Sequence, residues 1–489
     1  MPFSVLKDEE IKNLLNSLTV DELEEFYTSL KETLHDYSNG IQSPETSEVY
    51  QPHRQSVRSS KTGATTLFMP SSGPAGFGVK VITLSPPRTE HDEALGRPKI
   101  KPTGGITIFS KTGEPIGLLH ASTLTAFRTA LASALLVARR NKVHNVTVFG
   151  SGDQAYWHIR LTLMLRGSTI RHVNIINRRF SGSCREILRR LYDIPTAIKE
   201  REGWQETEFG VLTPGYGEFQ RLLRHQVQGA DVIFCCTPST EPLFDHTILT
   251  SSEGRRKGRL IVAIGSYMPD MVEIPVELLQ QAVKRHEPGH IHYHKHAVEG
   301  GVVVVDTLDG AMKEAGEILQ GGLNPSQLIE LGELVMLHRI RMDEETGSDT
   351  GSLKSAEADN APSGRFERLE IRSDASGSTE NLDGGSRPGS RPGSSHRSSS
   401  SRPASPSPRS GGGGLSLPLF HRRKSSYSGS DSASREKKKR EREDHMAKWL
   451  QAGNVIYKSV GLGLMDLAVG IKVVEFARLK GVGMHVEDF

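Results

Sequence analysis

The sequence predicts an α/β fold: a doubly wound parallel sheet, a discontinuous companion region and a long disordered insertion. Three observations predict it. Between residues 142 and 330, short continuous apolar runs alternate with helix-period stretches. One of those runs ends in Gly150-Ser151-Gly152 and passes straight into a helical pattern. Apolar sequence then returns near the C-terminus, after a segment at 342–445 rich in Ser, Arg, Pro and Gly.

Taken in order, GFGVKVITLS reads as a strand and STLTAFRTALASALLVARR as a helix. VTVFG is a strand and QAYWHIRLTLMLRG a helix; HVNIIN is a strand and the region from RRF to LRRLY a helix. ADVIFCCT, RLIVAIGS and GVVVVDTL are strands, and AMKEAGEIL is the helix that follows. Continuous apolar strands are buried on both faces, the habit of parallel strands covered by helices. The final stretch, NVIYKSVGLGLMDLAVGIKVVEFARLKGVGMHVEDF, is too apolar to stand free and must dock onto the part upstream. The expected organisation is therefore 1–141 as the first part of a companion domain and 142–330 as the doubly wound domain. The insertion occupies 342–445, and 446–489 is a helix returning to the companion domain.

With 489 residues, a net charge of +3 and 24% charged residues, the chain has room for two or three domains. That charge balance excludes a dedicated nucleic-acid binder. Cys184, Cys235 and Cys236 cannot form a disulfide framework, and the last two read as buried thiols. A reducing, cytoplasmic location is expected. MPFSVLKDEEIKNLL has no basic segment before an apolar core, so no signal peptide is expected. No uncharged apolar run reaches the roughly 18–20 residues that span a bilayer, so no membrane partner is expected.

The insertion contains SGSTENLDGGSRPGSRPGSSHRSSSSRPASPSPRSGGGG, which cannot bury enough apolar surface to offset its ordering entropy. RPAS, RRKSS and SPSP place serines near arginine or proline, as a regulatory tract would. An inert insertion stays open beside that reading, because loop closure costs little extra as a loop lengthens. REKKKRERED reads as a solvated helix face. HIHYHKH sets His290, His292, His294 and His296 at alternate positions, which on a strand would suit zinc or nickel. A surface insertion is the expectation there, with no metal site.

The glycine turn carries the first chemistry. Gly150, Gly152 and Ala155 fit G-x-G-x-x-A between a strand and a helix, the context a dinucleotide fingerprint requires. Gly150 permits the tight turn, and Gly152 lets a pyrophosphate approach the helix N-terminus. NAD sites carry an acid at the tip of the second strand. Here that tip is Asn177-Arg178-Arg179, two guanidiniums suited to the 2′-phosphate of NADP(H). Solvated helix-start arginines are the blander reading.

Two charges interrupt apolar patterns. Arg128 falls among Leu124, Leu131 and Leu135 at about 100° per residue. A guanidinium there needs an anion, either a substrate carboxylate or an internal Asp or Glu. Lys80 shares a strand face with Ile82 and Leu84. It is a proton donor or carboxylate anchor with a lowered pKa, or a lysine snorkelling at a sheet edge.

Together these residues resemble the ornithine cyclodeaminase/mu-crystallin family. The matching stretches are GVKVITL, TGEPIGLLHASTLTAFRTALASAL, VFGSGDQAYWH, ADVIFCCTPSTEPLF, IVAIGSYMPDMVEI, VVVDTLDGAMKEAGEI and YKSVGLGLMDLAVG, in the family's order. The resemblance implies a Rossmann domain set between the two halves of a substrate/dimerisation domain, and a homodimer. It implies that Lys80 and Arg128 line the substrate site, with Arg128 on the substrate carboxylate and Arg54 facing the same group. It places Asp466 near that site, in a catalytic or a structural role. Gly150, Gly152, Asp153, Gln154, Asn177, Arg178, Arg179, Thr237 and Ser459 are the cofactor-binding positions it implies. Asn177-Arg178 resembles the N-R-T of NADPH-using members.

One departure matters. Ornithine-cyclising members carry an aspartate two residues after the glycine of the IVAIG strand, where this chain has Tyr267. Asp270 lies three residues further on, in a pair similar to that of the mu-crystallin subgroup. Tyrosine, with a pKa near 10, is a poor general base at neutral pH. The expected function is NADP(H)-dependent reduction of a small imino acid, or the reverse amino-acid oxidation. Ornithine cyclodeaminase activity and a catalytically idle cofactor-binding protein are the alternatives.

Overall fold

The computed structural model describes residues 2–40, 47–84, 102–284, 300–337, 440, 443–487 and 489. The histidine run 290–296 lies outside the described residues, as does the insertion except for its last few positions. Residues 443–452 are helical, so a described helix begins inside the span 342–445.

Two sheets form the frame. The first has strands β1 (Phe3–Leu6), β2 (Gln55–Arg58), β3 (Thr65–Gly73), β4 (Gly76–Leu84), β5 (Thr103–Phe109) and β6 (Pro115–His120). The C-terminal β15 (Met484–Val486) completes it, in the order β15-β1-β6-β5-β4-β3-β2. All its neighbours run antiparallel except β1 and β6. The second sheet is wholly parallel: β7 (Asn145–Phe149), β8 (His172–Ile176), β9 (Glu208–Leu212), β10 (Val232–Cys235), β11 (Leu260–Ala263), β12 (Val302–Val305), β13 (Leu328–Glu330) and β14 (Val455–Lys458). Its order is β13-β12-β14-β11-β10-β7-β8-β9. The sequence therefore foretells the α/β class and the doubly wound parallel sheet correctly.

The helices that matter below are α1 (Asp8–Asn16), α2 (Val20–Asn39), α3 (Ala121–Val137), α4 (Asp153–Arg166), α5 (Gly182–Tyr192), α6 (Leu308–Glu314), α7 (Gly316–Gln320) and α8 (Gly463–Leu479). A capping box at Thr19 and Glu22 starts α2, each satisfying the other's backbone N–H. The apolar face of the first sheet, through Ile82, Ile106, Ile108 and Leu119, shares a core with Leu124 and Leu131 of α3 and Leu464, Leu467 and Val473 of α8. α3 and α8 are buried along most of their length, so each accepts polar residues only where a partner waits.

Three differences from the sequence reading have physical causes. The returning segment 446–489 is more than a helix: Val455–Lys458 enters the middle of the parallel sheet, between β11 and β12. A four-residue apolar run is indistinguishable by periodicity from the start of a buried helix. AMKEAGEIL is two helices, because Ala315 leaves helical geometry at φ −79°, ψ 101°. β9 lies at a sheet edge and is half-exposed, so it lacks the continuous apolar signature. Among the described residues no helix is long and apolar enough to cross a membrane. Cys184 and Cys235 are buried, while Cys236 is only half-buried.

Candidate functional site

Three side chains from distant parts of the chain meet between β4, α3 and α8. Lys80 lies on the inward face of β4, opposite Met69 and Ile106, and is 2% exposed. Asp466, in the first turn of α8, is fully buried. Lys80 Nζ donates to both Asp466 carboxylate oxygens at 3.0 Å. Arg128 Nε donates to Oδ1 of the same carboxylate at 3.2 Å. The internal acid weighed for Arg128 therefore exists, and it is Asp466.

The balance of this cluster is uneven. Lys80 and Arg128 share one carboxylate, which leaves an excess of positive charge in a dry place. Among the described residues, the only partner of Arg128's terminal nitrogens is Met465 Sδ, at 3.5 Å from Nη1. Gly461 lets the chain pass close by them: its φ is +89°, and a Cβ there would lie 3.0 Å from Arg128 Nη2. Burial lowers the Lys80 pKa from 10.5 to about 8; Asp466 opposes that shift and Arg128 adds to it.

Arg54 lies just before β2, mostly buried and close enough to Arg128 and Lys80 to interact with both electrostatically. Its Nε donates to Glu314 Oε1 at 2.6 Å, and Nη2 pairs with Oε2 of the same carboxylate. Nη1 lies 3.3 Å from the carbonyl of Val460, and Nη2 lies 3.5 Å from that of Tyr267. Tyr267 is half-buried, and burial raises its hydroxyl pKa. Asp270 is exposed.

Buried acids hold the loops around the site. Asp306, at the tip of β12, accepts from the Ser459 hydroxyl at 2.8 Å and from the amides of Val460 and Gly461 at 3.0 and 2.6 Å. The Ser459 hydroxyl is thus committed to Asp306. Glu273 accepts from the amides of Thr237, Gly265 and Ser266 at 2.8, 2.6 and 3.1 Å. Beside it, Lys458 pairs with Glu317 at 3.3 Å. Burial pushes Glu273 up to about 8, against the pull of Lys458.

At the glycine turn, Gly150 has φ +108°, and a Cβ there would lie 3.0 Å from the Cys236 carbonyl. Gly152 is the N-cap of α4; no side chain caps that helix start, and a Cβ on Gly152 would meet open space. Gln154 Oε1 is buried and has no partner among the described residues. An uncapped, accessible helix start with free backbone N–H groups fits a dinucleotide phosphate. Asp153 pairs with Arg190 at 2.7 Å on the outer side. Asn177 shapes the next strand tip by donating to Ser151 Oγ at 3.3 Å and to the Arg179 carbonyl at 3.0 Å. Arg178 and Arg179 are exposed there, beside Ser181 and Ser183 at the start of α5.

The ornithine cyclodeaminase/mu-crystallin family pattern matches residues 11–201. The chain is 27% identical over 295 residues to a Δ1-pyrroline-2-carboxylate reductase of Bacillus cereus, spanning 58% of this chain and 74% of that one. It is 25% identical over 230 residues to the ketimine reductase mu-crystallin of Mus musculus, spanning 46% of this chain and 55% of that one. Over that stretch the chain is similar to the ornithine cyclodeaminase/mu-crystallin family. Its fold is similar to that of the Thermococcus litoralis Δ1-pyrroline-2-carboxylate reductase solved with NADH and L-proline. The TM-score is 0.56 at 16% identity, over 99% of this chain and 100% of that one.

Around this site, sequence reasoning missed Asp306, Glu314 and the Glu273–Glu317–Lys458 group. Lys458 ends an apolar run much as Lys80 interrupts one, so a signal for it existed. Asp306 follows four valines and was legible as an acid at a strand tip. Glu314 reads as an ordinary acid on a short helix, and nothing in its neighbourhood marks it.

Proposed function

We propose that this protein is an NADPH-dependent reductase of a small cyclic imino acid, of the ketimine reductase type. The observation that carries the reading is the shared carboxylate: two buried cations on one Asp466, with Arg128's terminal nitrogens directed to no acid among the described residues. A substrate carboxylate supplies the missing negative charge. Bound NADPH supplies the hydride to the C=N carbon. Arg128 orients the carboxylate with its planar fork. Lys80, with a pKa near neutrality, delivers the proton that the ring nitrogen gains. Asp466 holds Lys80 and Arg128 in register. Arg54 meets the carboxylate from the opposite side.

NADPH is favoured over NADH by Arg178, Arg179 and the serines beside them, which face a 2′-phosphate with donors and positive charge. Tyr267, in place of an aspartate, weighs against ornithine cyclisation, since a tyrosine whose pKa is raised is a poor base for activating water. The outer face of the first sheet exposes Val57, Phe68, Phe77, Val79 and Leu118, and we assign it to a homodimer. Residues 142–330 with β14 make the cofactor domain, and 1–141 with α8 the substrate domain. Reduction of Δ1-pyrroline-2-carboxylate with NADPH deuterated on the nicotinamide tests the reading: deuterium is expected on the α-carbon of proline. Proline without deuterium, or no proline, would refute it.

A further inference from the structure

We infer that Glu314 is a built-in competitor for Arg54, occupying the guanidinium that the substrate carboxylate takes and yielding it on binding. The inference rests on the reading of the substrate as a carboxylate-bearing imino acid.

The geometry of Arg54 is that of a cation already serving a carboxylate. Nε and Nη2 present their parallel N–H groups to the two oxygens of Glu314, the bidentate arrangement guanidinium favours. The remaining contacts, to the Val460 and Tyr267 carbonyls, are long at 3.3 and 3.5 Å. A second carboxylate cannot gain the same fork without displacing Glu314.

The two acids of the site differ in whether they can leave. Asp466 is fully buried in the first turn of a long helix and serves two cations. Glu314 is the last residue of the seven-residue α6, and its side chain is 26% exposed against 14% for Arg54. A released Glu314 carboxylate is re-solvated at once, so the exchange costs little.

The same helix carries further contacts to this loop. His53 lies 3.1 Å from Asp309, and Lys313 Nζ lies 3.2 Å from His53 Nε2. Residues 309, 313 and 314 of α6 therefore hold the segment before β2 beside Arg54. Displacing Glu314 loosens one of these contacts while His53 and Asp309 keep the segment in place. Glu314 thus acts through Arg54 as a specificity-determining residue: only a ligand with its own carboxylate replaces what it removes.

The test compares wild type, Glu314→Gln and Glu314→Asp, each loaded with NADPH. Steady-state reduction of Δ1-pyrroline-2-carboxylate is measured together with calorimetric binding of pyrrole-2-carboxylate, a planar carboxylate probe. For Glu314→Gln, KM and the probe Kd are expected to fall by about threefold to tenfold, with kcat changing far less. Glu314→Asp keeps the charge and is expected to stay near wild type. A higher or unchanged KM and Kd in Glu314→Gln would overturn the inference while leaving the reductase reading intact. Wild type that neither turns over nor binds the probe would overturn both.

Discussion

Lys80 Nζ stands 3.0 Å from both carboxylate oxygens of Asp466, although 386 residues separate them in sequence. The first sheet and the C-terminal helix thereby meet through a charge pair at the place where the chemistry is assigned. Removing one partner of such a pair leaves a charge in a dry site. Asp466→Asn is expected to cost about 3–5 kcal/mol of stability, because Lys80 and Arg128 then face each other without an anion. Urea denaturation of the NADPH-free protein checks this. Lys80→Met combined with Asp466→Asn should cost clearly less than the two single losses added together.

Protonation of Lys80 sets a pH limit. Its folded pKa is about 8, against an ordinary value of 10.5. Imine reduction is expected to decline as pH rises through about 8, when the proton donor is lost. The stability effect has the opposite sense. Between pH 8 and 10.5 the unfolded chain binds more protons at this residue, so its burial penalty is complete below pH 8 and relieved above it. A kcat/KM profile in wild type and Lys80→Arg separates the two. The arginine variant should lose the alkaline limb near pH 8, together with about 100-fold or more in rate.

Cofactor choice is assigned to the tip of β8. Arg178→Asp should raise KM for NADPH by about 10- to 100-fold, the worth of one charged hydrogen bond, while NADH is affected far less. Parallel titrations with the two nucleotides decide it. Equal losses for both would place the 2′-phosphate elsewhere.

The exposed apolar face of the first sheet gives a prediction about assembly. Phe77 and Val79 lie on that face of β4, with Phe68 on the adjacent β3 and Leu118 on β6, beyond β5. Phe77→Lys with Val79→Lys should halve the mass measured by light scattering and leave the circular dichroism spectrum unchanged. A wild-type monomer would remove the dimer assignment.

Much of this was readable from the chain because burial leaves marks. VTVFG and ADVIFCCT announced central parallel strands, and the glycine turn announced the helix start that follows β7. Lys80 and Arg128 each stood out as a charge in an apolar pattern, and the family resemblance pointed to Asp466. Their meeting was not legible, since sequence periodicity is local and the contacts cross 338 and 386 residues. β14 was hidden for a related reason: four apolar residues do not say which sheet they will join. Glu314, the partner of Arg54, left no mark at all, because a partly exposed acid looks like any solvated surface.

The most direct measurement follows absorbance at 340 nm with purified protein, NADPH and Δ1-pyrroline-2-carboxylate, beside an ammonia assay with ornithine and NAD. The account predicts rapid loss of absorbance with stoichiometric proline in the first, and no ammonia in the second. Ammonia from ornithine without NADPH-dependent imine reduction would contradict it.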